Sequence, residues 1–206
     1  MIRRSKSSQQ WLSRQRRDPF ARRAAAEGHL SRARFKLEEL DRRFRLVAPG
    51  MAVLELGGAP GGWTRYLEEH LDGGLLVVID PRPIKAAAGT LVVEAAYGDA
   101  EADRQLAEVL GEARVDLVLS DMAPNMSGNR TTDQARSIYL AELALDAARH
   151  WLKPGGELAV KLFQGEGMDA WLAEARESFA KVRLTKPDAS RSNSREVYAV
   201  AHDHRP

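Results

Sequence analysis

The sequence predicts a single α/β domain built on a mostly parallel, seven-stranded sheet with an antiparallel last strand and helices on both faces. Seven short apolar runs follow residue 50, and amphipathic segments of helical period separate most of them. Strands that alternate with helices favour a parallel sheet covered on both sides. The last two runs are separated by residues 186–196, a segment too short for a crossover helix. The final strand should therefore form a hairpin with the strand before it.

The elements follow one another in a simple order. A helix is predicted to begin near Ser31, because Leu37, Leu40 and Phe44 recur at helical spacing and serine is a favourable N-cap. After Pro49-Gly50 the apolar runs predict strands at residues 52–56, 75–79, 91–95, 115–120, 157–163, 182–185 and 197–201. The segments between them predict helices at residues 62–71, 102–112, 135–152 and 168–180.

Charge divides the chain into a basic arm and an acidic body. The first 47 residues hold 14 Lys and Arg against 5 Asp and Glu, a net +9, whereas the remainder holds 17 against 24, a net −7. We expect residues 1–27 to be a mobile N-terminal arm and residues 28–206 to be the folded domain. A basic arm is typical of proteins that bind nucleic acid, although a solubilising tail would carry the same charge. Trp11 and Phe20 are docking points on the body or stacking platforms for bases.

Composition excludes several classes of protein. The chain has no cysteine, so it has no disulfide framework and no Cys-ligated zinc. Its five histidines show no ligand spacing, and we predict no metal site. No apolar run approaches the roughly 20 residues of a membrane helix, and the basic start lacks the apolar stretch of a secretory signal. We expect a cytoplasmic monomer that makes no contact with membranes.

A glycine-rich turn at residues 57–63 follows the first predicted strand and precedes a helix. Glycines at such a turn let the backbone approach a ligand, and the helix offers unpaired N–H groups. Gly57, Gly61 and Trp63 are therefore candidate cofactor-binding residues. The turn lacks the Gly-Lys-Ser/Thr of a P-loop and the spacing of dinucleotide enzymes. Taken alone, it is equally compatible with an ordinary tight turn.

Three carboxylates stand at the ends of consecutive predicted strands: Asp80, Asp99 and Asp121. The carboxyl ends of parallel strands share one crevice, so these acids should converge there. Asp80 is placed to bind a ribose, Asp99 to reach an adenine edge, and Asp121 to face the far end of the ligand. An acid at that end suits the ammonium and sulfonium of S-adenosylmethionine and would repel the pyrophosphate of NAD. Taken alone, each of these acids is as compatible with a structural role as a helix cap as it is with a ligand contact.

Five segments of the chain together resemble one family. They are Ser31 to Leu37, Gly57 to Trp63, Ser120 to Gly128, Val160 to Gly167, and Lys186-Pro187 with Ser194 to Tyr198. The chain resembles the FtsJ/RrmJ-type ribosomal RNA large-subunit 2′-O-ribose methyltransferases. The resemblance implies a Rossmann-like class I methyltransferase fold and S-adenosylmethionine as cofactor. It also implies a uridine of 23S rRNA as substrate, in the A loop of the assembled large subunit.

The resemblance further implies a catalytic set, which falls on Lys36, Asp121, Lys161 and Glu196. A ribose 2′-OH is a poor nucleophile until its proton is drawn away. Lysine is mostly protonated at neutral pH, but a second ammonium nearby and partial burial favour its neutral form. Lys161 is then the base, Lys36 positions the ribose, Asp121 orients Lys161, and Glu196 holds Lys36. Without the motifs, a strand-end lysine that reaches solvent is the preferred interpretation of Lys161, and Glu196 is equally compatible with a sheet-edge charge.

Alternative functions remain open at this point. The same catalytic set would serve another RNA, such as tRNA or a cap, although no additional domain for a cap or protein adaptor is recognisable. A non-catalytic ribosome-assembly factor would use the fold to bind RNA, but it would not need all four catalytic side chains. A dehydrogenase is disfavoured by the glycine spacing and by Asp121.

Overall fold

A computed structural model of the chain describes residues 18–206. Its helices are α1 Pro19–Ala26, α2 Ala33–Phe44, α3 Gly62–His70, α4 Ala100–Leu110, α5 Arg130–Trp151 and α6 Met168–Ser178. Its strands are β1 Ala52–Leu56, β2 Leu75–Ile79, β3 Leu91–Val93, β4 Val115–Ser120, β5 Leu152–Phe163, β6 Phe179–Thr185 and β7 Glu196–His204. In this part of the chain, no helix combines the length and the apolar composition needed to cross a bilayer.

The strands form one sheet in the order β3-β2-β1-β4-β5-β7-β6. Neighbours from β3 to β5 are parallel, whereas β7 is antiparallel to both β5 and β6. The predicted fold class is therefore confirmed, including the hairpin between the last two strands.

Successive side chains of a strand point to opposite faces of the sheet. Because both sets of side chains are apolar here, helices cover both faces. One face packs against α4, α5 and α6, and the other packs against α2 and α3. Within β1, Leu54 joins the first core and Val53 joins the second. Both residues are fully buried. The sheet is thus a rigid middle layer whose strand ends have fixed positions.

The N-terminal region differs from the sequence-based boundary at residue 27. Residues 19–26 form α1, because the carboxylate of Asp18 accepts hydrogen bonds from the first N–H groups of the helix. Ala24 is buried, and the Phe20 ring packs against the Phe35 ring with centroids 5.9 Å apart. Phe20 is therefore a docking point on the domain, whereas Trp11 lies outside the described residues.

The order of the strands creates a crevice between β1 and β4. From β1 the chain proceeds outward through β2 and β3, then returns to place β4 on the other side of β1. Loops at this reversal diverge and leave a crevice at the carboxyl ends of the strands. The glycine turn after β1 and Asp121 after β4 both lie there.

Candidate active site

Strand pairing brings three polar side chains to the same face at one end of the sheet. Lys161 on β5 lies directly opposite Tyr198 on β7, and opposed residues of antiparallel strands share a face. Glu196 precedes Tyr198 by two residues on the same strand, so it shares that face too. The register of β5 with β7 therefore determines which side chain lies opposite Lys161.

Lys36 and Asp121 complete the cluster from α2 and from the end of β4. The Lys161 Nζ lies 2.9 Å from Asp121 Oδ1, and the Lys36 Nζ lies 2.8 Å from Glu196 Oε1. The Lys36 Nζ is also 3.9 Å from Asp121 Oδ1. Both lysines are buried. The structure thus brings together all four residues of the predicted catalytic set, with Asp121 between the two ammonium groups.

The hydroxyl of Tyr198 links the two halves of this cluster. It donates a hydrogen bond to Asp121 Oδ1 at 2.5 Å and accepts one from the Lys36 Nζ at 3.3 Å. Burial raises the pKa of Tyr198 well above its ordinary value, and the negative charges of Asp121 and Glu196 raise it further. The phenol therefore stays protonated and acts as a hydrogen-bond donor to Asp121.

Asp121 is held as a carboxylate. Burial by itself would raise its pKa, but the charges of Lys161 and Lys36 and the hydrogen bond from Tyr198 outweigh burial and lower the pKa to about 2. At neutral pH the side chain is therefore an anion that fixes two buried ammonium groups at the edge of the crevice.

Glu196 is held in turn by the loop between β6 and β7. The Ser190 hydroxyl donates to Glu196 Oε1 at 2.7 Å, and the Glu196 N–H donates to the Ser194 hydroxyl at 3.1 Å. Ser190 is buried. The guanidinium of Arg32, beside the start of α2, donates to the Ala189 carbonyl in the same loop. The orientation of Glu196 thus depends on a loop anchored to the helix that carries Lys36.

A cavity of about 520 Å³ opens beside this cluster. Gly57, Asp80 and Asp121 from the predicted cofactor set line it, together with Met122 and Arg82 among others. Gly57 has a φ of +82°, and a Cβ there would lie 2.8 Å from Met122 Cγ. Glycine is required at this turn both by the backbone conformation and by the approach of Met122. Asp121 therefore belongs to the cavity and to the lysine cluster at once.

Asp80 accepts more hydrogen bonds from the protein itself than the sequence predicted. Its Oδ1 accepts from the backbone N–H and the Nε of Arg82, each at 2.9 Å. Its Oδ2 accepts from another Arg82 nitrogen at 3.0 Å and from the Ala59 N–H at 3.1 Å. These four contacts match the four lone-pair sites of a carboxylate. Burial opposes ionisation of Asp80, but the Arg82 hydrogen bonds prevail and its pKa is lowered.

Three predicted cofactor residues do not line the cavity. Gly61 is the N-cap of α3, with a φ of +102°. The Trp63 indole is buried in the core, and its Nε1 donates to the Ala33 carbonyl at 2.7 Å. The Trp63 indole thus joins α3 to α2, and a ligand contact by this residue stays a prediction. Asp99 is exposed at the N-cap of α4. No group of three metal-binding side chains occurs within residues 18–206.

Beneath the glycine turn lies a buried carboxyl group that the sequence analysis left without a role. Glu55 on β1 is 2% exposed, and its Oε2 accepts a hydrogen bond from the Thr64 hydroxyl at 2.8 Å. Burial raises the pKa of Glu55 to about 8. The group is therefore largely protonated at neutral pH, which keeps a second negative charge away from Asp121.

Three further residues of the site, Tyr198, Ser190 and Arg82, carried no predicted role. For Tyr198 a signal was available, because it stands two residues after Glu196 on a predicted strand and must share its face. For Ser190 and Arg82 there was none, since their contacts depend on how a loop and a turn fold.

Comparison with known proteins finds a matching family and similar sequences. The family model of FtsJ-like methyltransferases matches residues 29–204. Ribosomal RNA large subunit methyltransferase E of Chromohalobacter salexigens is 48% identical, over 96% of this chain and 94% of that protein. The protein of the same name from Xanthomonas oryzae is 47% identical, over 98% of this chain and 97% of its own length.

A solved structure is also similar. The structure described as a ribosomal RNA methyltransferase from Plasmodium falciparum has a TM-score of 0.75 and 25% sequence identity. The alignment covers 84% of this chain and 97% of the Plasmodium chain. From the family match, the extent of identity with its relatives and the shared fold, we conclude that the chain belongs to the FtsJ-like methyltransferase family.

Proposed function

We propose that this protein methylates the ribose 2′-OH of a nucleotide in large-subunit ribosomal RNA. The relatives that cover nearly the whole chain are named as methyltransferases of that RNA. The observation that carries the chemistry is the buried cluster of Lys36, Asp121, Lys161 and Glu196 beside the cavity. As an extension of the proposal, the target is a uridine of the A loop, and the enzyme acts as a cytoplasmic monomer on the assembled subunit.

The cofactor is S-adenosylmethionine, which FtsJ-like methyltransferases use. The residues present fit it, because Gly57 lets the backbone turn closely beside the cavity and two carboxylates, Asp80 and Asp121, face a ligand that carries positive charge. Once the Arg82 side chain gives up its contacts with Asp80, this carboxylate would hold the ribose hydroxyls, and Asp121 would hold the charged end. Asp99, Gly61 and the backbone of Trp63 remain proposed contacts. When bound, the cofactor supplies an electrophilic methyl group.

The protein side of the reaction requires a base at the ribose oxygen. In its neutral form, the Nζ of Lys161 would accept the 2′-OH proton as the oxygen attacks in line. Asp121 orients Lys161 through the 2.9 Å contact, which limits the number of positions open to the amine. Glu196 holds Lys36 at 2.8 Å, where its ammonium can donate a hydrogen bond to the ribose. Tyr198 fixes Asp121 without exchanging its proton.

This proposal is tested by tritiated methyl transfer from S-adenosylmethionine to three acceptors: large subunits from cells lacking the enzyme, naked ribosomal RNA, and tRNA. Nuclease digestion then locates the label. We expect label on a ribose of the large-subunit RNA. Label confined to tRNA would contradict the proposed substrate.

Variants of Lys161 test the proposed base in the same assay. Lys161→Ala should lose nearly all turnover while cofactor and RNA affinities change little, because the group acts mainly in the transition state. Lys161→Arg should not restore activity, since guanidinium does not lose its proton at accessible pH. The exposed Lys181 on β6, which β7 separates from β5, provides a matched control, and Lys181→Ala should remain active. Substantial turnover by Lys161→Ala would remove the proposed base.

A further inference from the structure

A second concavity of about 490 Å³ lies on the other side of the catalytic cluster, outside the cofactor cavity. It is formed between the start of α1 and the loop that joins β6 to β7. We call it the α1 groove, and its lining is Asp18, Pro19, Phe20, Arg32, Asp188, Ser190, Arg191, Ser192 and Asn193. Its volume falls within the roughly 300–1,000 Å³ of small-ligand sites.

The α1 groove is one hydrogen bond away from the catalytic cluster. Ser190 lines the groove, and its hydroxyl donates to Glu196 Oε1 at 2.7 Å. Glu196 in turn contacts the Lys36 Nζ at 2.8 Å. An RNA strand whose target ribose lies against Lys36 continues beyond the catalytic cluster, so a neighbouring nucleotide comes within reach of the groove.

The lining suits a nucleobase better than a phosphate. Phe20 and Pro19 supply apolar surface, and short polar side chains of the loop, Ser192 and Asn193, supply donors and acceptors. Unpaired RNA bases are recognised by this combination, in which an aromatic or guanidinium plane stacks on the base and polar groups read its edge. The Arg191 side chain is 46% exposed and therefore available as such a plane.

Charges in the groove are largely balanced. Arg32 forms an ion pair with Asp18, and Arg191 lies 3.6 Å from the same carboxylate. Asp188 adds another negative charge at the rim. In the sequence, residues 2–17, which contain six Lys and Arg, directly precede Asp18. A groove with balanced charge and an aromatic surface suits an uncharged base rather than a phosphate, because single-stranded RNA is bound by stacking its bases on aromatic side chains.

We propose that the α1 groove binds the base of a nucleotide adjacent to the one that is methylated, with Phe20 as the stacking surface. This inference rests on the proposed function. It assigns Phe20 two roles, since one part of the ring packs on Phe35 and the remainder faces the groove. It gives the enzyme a means to recognise sequence or an extruded base next to its target.

The first test identifies what occupies the groove. A photoreactive benzoylphenylalanine is introduced at position 20, and the protein is irradiated with unmodified large subunits. We expect a cross-link to RNA within two nucleotides of the tritium-labelled position. The same residue at position 109, on α4 at the opposite side of the sheet, should give no such cross-link. A cross-link to distant RNA, or to residues 1–17 of the chain itself, would overturn the proposal.

The second test uses Phe20→Leu, which keeps apolar packing but removes the aromatic plane. The KM for RNA should rise about fivefold, the low end of what a stacked base contributes, while kcat and cofactor affinity stay unchanged. Phe44→Leu is the matched control, since Phe44 is also partly buried in an aromatic pair, with His202, and does not line the groove. Equal effects of the two variants would refute a stacking role.

The outcomes separate this inference from the proposed function. Methyl label without a nearby cross-link would refute base binding in the α1 groove and leave the proposed methylation unaffected. A cross-link without label would refute the methylation and leave the groove as an RNA-binding site.

Discussion

Replacing Asp121 by asparagine tests how the two lysines are kept in place. The substitution preserves the shape of the side chain and one acceptor oxygen but removes the charge between the two lysines. Within residues 18–206, Lys36 retains Glu196 as a carboxylate partner, whereas Asp121 supplies the carboxylate contact of Lys161. Asp121→Asn should therefore destabilise the fold, because a buried ammonium group loses its counterion.

The magnitude follows from the pKa of Asp121. Its lowering from 3.8 to about 2 corresponds to about 2 kcal/mol of stability at neutral pH, and breaking a buried pair costs up to about 4 kcal/mol. Because the folded pKa lies below the unfolded one, this stability is present above about pH 4 and is lost as the pH falls toward 2. The variant should lack that acid-dependent loss.

Urea unfolding at pH 7 measures the effect. With a slope of about 2 kcal/mol per molar urea, the midpoint of Asp121→Asn should fall by about 1–2 M. The control is Asp146→Asn, which removes an exposed partner 3.6 Å from Arg149 and should change stability by less than about 1 kcal/mol. If both variants unfold at the wild-type midpoint, the Asp121 carboxylate does not hold the buried lysines in place.

Three further predictions concern neighbouring groups. Because the pKa of Glu55 is raised to about 8, the fold should lose stability as the pH rises from about 4.5 to 8, and Glu55→Gln should be a few kcal/mol more stable than wild type at pH 9. Equal urea midpoints of Glu55→Gln and the wild type at pH 9 would contradict the raised pKa of Glu55. Arg82→Ala should free Asp80 and tighten cofactor binding up to about fivefold in calorimetry; weaker binding would show that Arg82 contacts the cofactor. Tyr198→Phe should lower turnover and cost about 1–3 kcal/mol of stability through Asp121, whereas wild-type kinetics would exclude a positioning role.

Most of the fold could be predicted because apolar runs define buried strands directly. The bounds of β1, β2 and β4 coincide with the predicted runs. The two largest errors in predicted starts have local causes. α5 begins at Arg130, five residues early, because the Asn129 side chain accepts from the N–H groups of Thr131 and Thr132. β5 begins at Leu152, which pairs with Val115 of β4. The start was predicted at residue 157, because the polar Lys-Pro-Gly-Gly segment after Leu152 interrupts the apolar run.

The membership of the lysine cluster was predictable from motifs, but its internal contacts were not. The contact between Lys161 and Tyr198 depends on the register of β5 with β7, and a shift of one residue would turn Tyr198 to the opposite face. The engagement of Asp80 by Arg82 depends on the conformation of a tight turn. Such contacts are set by tertiary geometry, which no periodicity in the sequence encodes.

The central claim is that a lysine base acts on a ribose hydroxyl of large-subunit RNA. The most direct measurement replaces the tritium-labelled nucleotide by its 2′-deoxy counterpart in a reconstituted subunit and repeats the methyl-transfer assay. We predict that transfer by the wild-type enzyme is abolished at that position while binding of the subunit is retained. Label that persists after the substitution, or that is found on the base, would contradict the account.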